Sequence, residues 1–214
     1  MARHVTERTE EEQLTDQFLL LFLIYDAEIG IGDTKLQKLT YLSEVEMCKQ
    51  GEKGLNFNFI KMPFGPFSSE LKQDVKQLVK SNIITDYSHK STDFGKTILK
   101  NFSQLVKNNS EILGKISRIN STHKNLERDE LVDIVHQMHN PLRPWQTIDD
   151  TKHGNYILKR MKTWQKDKAF KLTKSEIASL EIYFNFKTFN SLRLSLYNAR
   201  TTPAVNLRDV PKFV

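Results

Sequence analysis

Apolar and polar residues follow two periods along the chain, and most of the chain follows the helical one. One stripe of apolar residues at helical spacing runs from Leu14 to Glu28, and a second runs from Asp33 to about Gly51. Residues three and four apart share a helix face, so each stripe predicts an amphipathic helix with one buried side. Two glycines separate the stripes and place a turn between consecutive helices.

A period of two replaces the helical period after the second helix. Residues 55–60 alternate apolar and polar side chains, as a half-buried strand does. Residues 64–68, Phe-Gly-Pro-Phe-Ser, predict a rigid turn, because proline fixes φ and glycine tolerates left-handed angles. The β-branched run at residues 83–87 predicts another strand.

The helix between the turn and this second strand has the clearest division of faces. It is predicted from the N-cap Ser68 to about Lys80, with leucine and valine on one face. The opposite face carries Gln73, Lys76, Gln77 and Lys80. Because a helix followed by a strand is the order of the second half of a winged helix-turn-helix, we predict a mainly α fold with a small antiparallel β element, a winged-helix-like core and extra C-terminal helices.

Downstream patterns predict further helices and a division of the chain. The remaining helices are predicted over residues 93–119, 127–136 and 156–167 and from Thr173 onward. Thr92 is the expected N-cap of the first of these, and Thr173 with Glu176 forms a capping-box pattern. Beyond Arg200 no periodicity remains. We therefore predict a domain over residues 1–163, followed at 164–214 by a helical extension and an extended tail.

The formal charge of +6 is concentrated in one segment. Residues 151–174 hold eight Lys or Arg and one Asp, whereas residues 1–150 hold 19 basic and 22 acidic residues. A nucleic-acid-binding surface normally carries the excess positive charge itself. Phosphate contacts would therefore come from Lys159, Arg160 and Lys162, whereas the winged-helix-like part is nearly neutral.

Motifs for catalysis, cofactors and membrane insertion are missing from the sequence. There is no phosphate-binding loop, dinucleotide turn, nucleophile elbow or zinc-protease motif. No apolar run approaches membrane-spanning length, and the acidic N-terminus is unlike a signal or transit peptide. The single cysteine, Cys48, lies mid-helix without a basic partner nearby. We expect a cytoplasmic protein that is not an enzyme and needs no cofactor.

Two histidines leave a choice between a metal site and packing. Asp133, His136 and His139 are spaced three apart, which can place ligands on one helix face, but no third strong ligand accompanies the histidines. The alternative is that His139 and Trp145 close a loop by packing and hydrogen bonding. We favour packing and predict no metal.

The motif residues themselves resemble a known family. Lys35-Leu36-Gln37-Lys38-Leu39-x-Tyr41-Leu42, the pair Phe57-x-Phe59 and the turn Gly65-Pro66-Phe67-Ser68 resemble the Panacea domain of SocA-like antitoxins, over roughly residues 12–163. A His and a Trp follow in that family. The motif positions matched here are Lys35, Gln37, Tyr41, Gly65, Pro66, Ser68, His139 and Trp145.

The resemblance implies a domain found in many mobile-element and phage-associated proteins, often as the antitoxin beside a variable toxin. It implies no catalytic activity. One hypothesis is therefore a regulatory protein that neutralises a cognate toxin by direct binding. The alternative is a winged-helix DNA-binding regulator in which Gln73, Lys76, Gln77 and Lys80 face the major groove. The two can coexist in an antitoxin that represses its own operon, and the oligomeric state is not predicted.

Overall fold

Helices dominate the computed structural model, which describes residues 8–162 and 166–201. The mainly α class with a small antiparallel β element is confirmed. The helices are α1 (Glu10–Ala27), α2 (Asp33–Lys49), α3 (Ser69–Lys80), α4 (Asp93–Asn101), α5 (Ser103–Asn108), α6 (Ser110–His123), α7 (Arg128–Gln137), α8 (Lys174–Phe184) and α9 (Phe186–Thr201). The predicted tail lies outside the described residues, apart from Thr201 at the end of α9.

Helix α1 lies at the centre of the fold. It contacts α2, α3, α4, α6 and α8, and residues 18–21 and 23 are fully buried. The prediction that this helix has only one buried side is therefore wrong, because neighbouring helices pack against nearly its whole circumference. The helix begins before the predicted Leu14 because Thr9 and Glu12 form a capping box, with N···O distances of 3.0 and 3.1 Å.

A three-stranded antiparallel sheet lies against α2. Its strands are β1 (Phe59–Met62), β2 (Gly65–Phe67) and β5 (Tyr156–Leu158), in the order β2-β1-β5. Lys61 pairs with Pro66, and Ile60 pairs with Tyr156 on the other side. A separate hairpin joins β3 (His139–Asn140) to β4 (Arg143–Thr147).

The predicted helix over residues 156–167 is wrong. Residues 156–158 form β5, because this apolar triplet supplies the second edge of β1 after a turn at Gly154, where φ is +81°. Periodicity cannot distinguish such a short run from a helix segment. Residues 166–168 form one 3-10 turn, and residues 163–165 lie outside the described part of the chain.

The strand predicted at residues 83–87 is also wrong. It is reduced to a single bridge between Ile84 and Ser91, because Asn82, Tyr87 and His89 adopt positive φ and turn the chain sharply. The hairpin β1–β2 instead precedes α3. The described chain therefore has no paired strand directly after α3, and this feature of the predicted winged-helix-like core is missing.

Two other predicted elements have different bounds. The helix over residues 93–119 is broken into α4, α5 and α6, and buried Asn109 at the second break binds both the N–H and the C=O of Lys171. The strand over residues 55–60 begins only at Phe59. The N–H groups of Asn56 and Asn58 instead donate to the carboxylates of Asp16 and Glu70.

The C-terminal helices pack on the rest of the fold. The capping box of Thr173 and Glu176 at the start of α8 is confirmed. Helix α8 contacts α1, and the C=O of Phe184 at its end accepts hydrogen bonds from Gln77 and Ser81. Within the described ranges, no helix is long and apolar enough to span a membrane.

A buried ionic cluster joins the start of the described chain to two helices. Arg8 donates to Asp16 of α1 at 2.7 Å and to Asp74 of α3 at 2.5 Å. Burial raises the pKa of Asp16 to about 7 despite the neighbouring guanidinium. The two carboxylates are almost fully enclosed. Pairing with the Arg8 guanidinium therefore offsets the free-energy cost of burying them.

Candidate functional site

Helix α2, the β1–β2 hairpin and α3 enclose a pocket of about 340 Å³. Its lining is mostly apolar and includes Leu36, Met62, Phe64, Phe67, Leu71 and Val75. This volume lies at the lower end of the range typical of ligand pockets. Two of the predicted motif residues, Gln37 and Gly65, line the pocket.

Gln37 joins two walls of the pocket. Its side-chain oxygen accepts from the N–H of Ser68 at 2.8 Å, and its amide nitrogen donates to the C=O of the same residue at 3.0 Å. Ser68 caps α3 by accepting from the N–H of Leu71. Both partners are buried, so this reciprocal pair fixes the start of α3 against α2.

The other motif residues of α2 connect this helix to neighbouring segments through hydrogen bonds to backbone carbonyls and through packing. Lys35 donates to the C=O of Leu126 at 2.7 Å, and Lys38 donates to the C=O of Pro66 at 2.8 Å. Tyr41 is fully buried and packs edge-on against Phe59. Burial raises the pKa of the Tyr41 phenol. These contacts give most of the motif an architectural role.

The turn after β1 needs its glycine. Gly65 has φ of +86°, a backbone conformation that residues with a Cβ rarely adopt. A Cβ at this position would lie 3.1 Å from His136 Cδ2. The sequence-based expectation of a constrained turn is therefore confirmed.

Three basic side chains lie around this turn. The Nζ of Lys61 lies 3.4 Å from His136 Nε2 and 3.2 Å from the carboxylate of Asp149. Lys38 is 3% exposed, and burial with the nearby Lys61 ammonium lowers its pKa to about 8. The pKa of His136 is lowered by burial and the same ammonium. Among the described residues, no carboxylate lies within ion-pairing distance of Lys38.

Sequence reasoning missed the contribution of Lys61. The signal was present, because Phe57, Phe59 and Lys61 follow a period of two and therefore share the apolar face of an extended segment. A lysine on such a face is buried when the protein folds, so it needs a hydrogen-bonding or acidic partner, or it belongs to a functional site.

The rim of the pocket combines apolar and cationic side chains. Phe64 is 59% exposed, and the guanidinium of Arg128 lies 5.8 Å from its ring centroid. Met62 is exposed beside it. Lys72 and Asp33 also line the pocket, and Asp33 is paired with His89.

The predicted polar face of α3 is mostly accessible. Gln73, Lys76 and Lys80 are exposed. Gln77 is half-buried, and its amide donates to the C=O of Phe184 at 3.2 Å. Helix α8 therefore covers one of the four side chains that were expected to face DNA.

The predicted basic segment is divided in a similar way. Lys159 and Lys162 are exposed, and Lys159 lies over the ring of Tyr156. Arg160 is instead enclosed and bonds Glu12 and Glu70 at 3.4 and 2.9 Å. Its charge is compensated within the fold.

The prediction that His139 and Trp145 pack to close a loop is wrong. Both are exposed on the β3–β4 hairpin, and 77% of the Trp145 surface is accessible. The hairpin is held instead by Asn140, which is buried and donates to Thr151. His139 is exposed and His136 is held by Lys61 and Asp149, so the structure does not combine the two histidines into one site.

Residues 8–162 and 166–201 contain no metal-binding arrangement, since nowhere in these ranges do three or more His, Cys, Asp or Glu side chains lie close enough together to hold an ion. Cys48 is half-buried beside Glu44, and burial raises the pKa of its thiol. A thiol that resists ionisation is a poor nucleophile.

Replacing Gln37 with Leu should lower the free energy of unfolding by about 1–3 kcal/mol, because it leaves the buried N–H of Ser68 without an acceptor. The matched control is Gln50→Leu, at an exposed position just beyond α2. Urea unfolding should detect the loss in the first variant only. Equal stability of the two variants would show that the Gln37–Ser68 pair does not hold α3.

A comparison with known protein families identifies the segment that contains these motif residues. The family model described as antitoxin SocA-like, Panacea domain, matches residues 36–146, just over half of the 214 residues. The match includes Gln37, Lys38 and the Gly65–Ser68 turn, which converge at the pocket. No curated protein and no solved structure matches the chain. The chain therefore belongs to the SocA-like antitoxin family that carries the Panacea domain.

Proposed function

We propose that this protein is an antitoxin that neutralises a cognate toxin by direct binding and has no catalytic activity of its own. Family membership carries the proposal. Two structural facts support it: the motif residues hold the pocket walls together, and the pocket has an exposed apolar rim. Concave apolar sites with exposed aromatic residues are typical of protein-binding surfaces.

Co-expression with the product of the adjacent reading frame tests this proposal. The neighbour alone should arrest growth, the chain alone should be harmless, and the two together should restore growth and co-purify as a complex. An unrelated protein expressed at the same level is the control and should not restore growth. If the neighbour is harmless alone and no complex forms, the antitoxin function is wrong.

DNA binding through α3 has less support. Gln77 is held by α8, Arg160 is paired with two glutamates, and the strand expected after α3 is a single bridge. The exposed lysines Lys76, Lys80, Lys159 and Lys162 remain available to phosphates. An ordinary solvated surface, on α3 for Lys76 and Lys80 and after β5 for Lys159 and Lys162, explains these residues equally well.

A further inference from the structure

We propose that the pocket between α2, the β1–β2 hairpin and α3 is the docking site for the toxin, and that it receives an apolar side chain lying next to a carboxylate on the toxin surface. This inference rests on the proposed function. It adds the place of contact and the chemistry of the segment that binds.

The apolar part of the argument comes from shape and exposure. The pocket holds about 340 Å³, enough for one or two side chains, and is lined mainly by aliphatic and aromatic groups. Phe64 and Met62 at its edge are 59% and 39% exposed. An exposed aromatic residue beside an apolar depression is the arrangement that binding hot spots show.

The carboxylate follows from charge complementarity. Lys38 lines the pocket and is almost fully buried, yet its ammonium donates to a neutral acceptor, the carbonyl of Pro66. Lys61 and His136 lie behind the same turn, but both already contact the carboxylate of Asp149, so Lys38 is the basic group of this turn that a partner carboxylate would balance. A buried cation is stable when an anion balances it, so a partner carboxylate would gain both an ion pair and a charge-assisted hydrogen bond.

The charges at the mouth favour the same partner. Lys72 lines the pocket from α3, and the guanidinium of Arg128 lies over Phe64. Asp33 contacts His89 and Arg128 is itself paired with Asp129, so Lys72 is the cation at the mouth for which the described residues provide no carboxylate partner. Positive charge at a binding surface speeds association with an acidic partner and disfavours basic ones.

Two substitutions with matched controls test the docking site. The probe is the purified product of the adjacent reading frame, and its affinity for each variant of the full chain is measured by calorimetry. Phe64→Ala and Lys72→Glu should each weaken binding about tenfold or more. Tyr87→Ala and Lys76→Glu change the same kinds of exposed side chain away from the pocket and should stay within about twofold of the unmodified chain. For Lys72→Glu, the loss of affinity should shrink at high salt, and stopped-flow mixing should show that most of it lies in the association rate.

The outcomes separate this inference from the proposed function. If the unmodified chain forms the complex and the pocket variants bind as tightly as their controls, the docking site is wrong while toxin binding stands. If the unmodified chain forms no complex, the proposed function fails. If the free chain is a dimer that Phe64→Ala makes monomeric, the occupant is a second copy and the inference is overturned. Because all four altered residues are exposed, thermal melts should confirm that each variant is folded.

Discussion

Replacing Arg8 with Met is expected to lower the free energy of unfolding at pH 8 by about 3–5 kcal/mol, the usual loss when one partner of a buried ion pair is removed. The guanidinium reaches Asp16 and Asp74 and also lies 5.1 Å from the ring centroid of Phe57. Without it, two enclosed carboxylates would repel each other at the junction of α1 and α3. Chemical denaturation of the purified variant measures the loss.

The loss should be smaller at pH 5 than at pH 8. The pKa of Asp16 is raised to about 7, with burial as the largest cause. A raised pKa means that the folded state holds a proton that the unfolded state has released, so stability from this group declines as pH rises through 7. Removing Arg8 raises the pKa of Asp16 further, because the favourable neighbouring charge is lost. At pH 5 the Asp16 carboxyl group is then protonated, and its repulsion with Asp74 is removed.

Arg128→Met is the matched control, because Arg128 pairs with Asp129 on the exposed surface. Its stability should stay close to that of the unmodified chain at both pH values. A pH-independent loss in Arg8→Met would show that packing, and not the charge of Arg8, stabilises this junction.

Replacing Gly65 with Val is expected to destabilise the fold by about 1–3 kcal/mol, the range of a strained backbone conformation. The positive φ is closed to β-branched residues, and the new Cβ would crowd the ring of His136. The hairpin that forms one wall of the pocket should therefore shift. Thermal unfolding measures the effect, and toxin affinity should fall along with stability.

Gly114→Val is the matched control for this substitution. Gly114 lies inside α6, where a new Cβ would meet open space and the backbone does not need a positive φ. Its replacement should leave the melting temperature unchanged or slightly raised. A melting temperature for Gly65→Val within a degree or two of the unmodified chain would show that the turn does not require a glycine at this position.

Local signals were enough to predict the helices that matter most for the site. The stripes of α1 and α2 and the N-cap Ser68 of α3 depend on neighbours in sequence, and all three helices lie close to where they were expected. The glycine of the turn was identified for the same reason. Propensity and capping act over a few residues, so the sequence displays them directly.

Long-range pairing accounts for the features that were missed. Strand β5 exists because β1 offers it an edge nearly a hundred residues earlier in the chain. The break at Asn109 depends on Lys171, and the turn at Gly65 lies against Lys38 of α2 and His136 of α7. No window of neighbouring residues contains such partners, so tertiary contacts overrode the local pattern.

Helix α3 is fastened at both ends, and this sets a rule for building hybrid proteins. Gln37 holds its N-cap residue, Ser68, while Gln77 in its last turn and Ser81 just after it bind the carbonyl of Phe184. Phe184 lies outside the segment that matches the family model. A hybrid that grafts a foreign C-terminal segment onto residues 36–146 must therefore recreate that single carbonyl acceptor, or one wall of the pocket loses its outer anchor even though every pocket residue is retained.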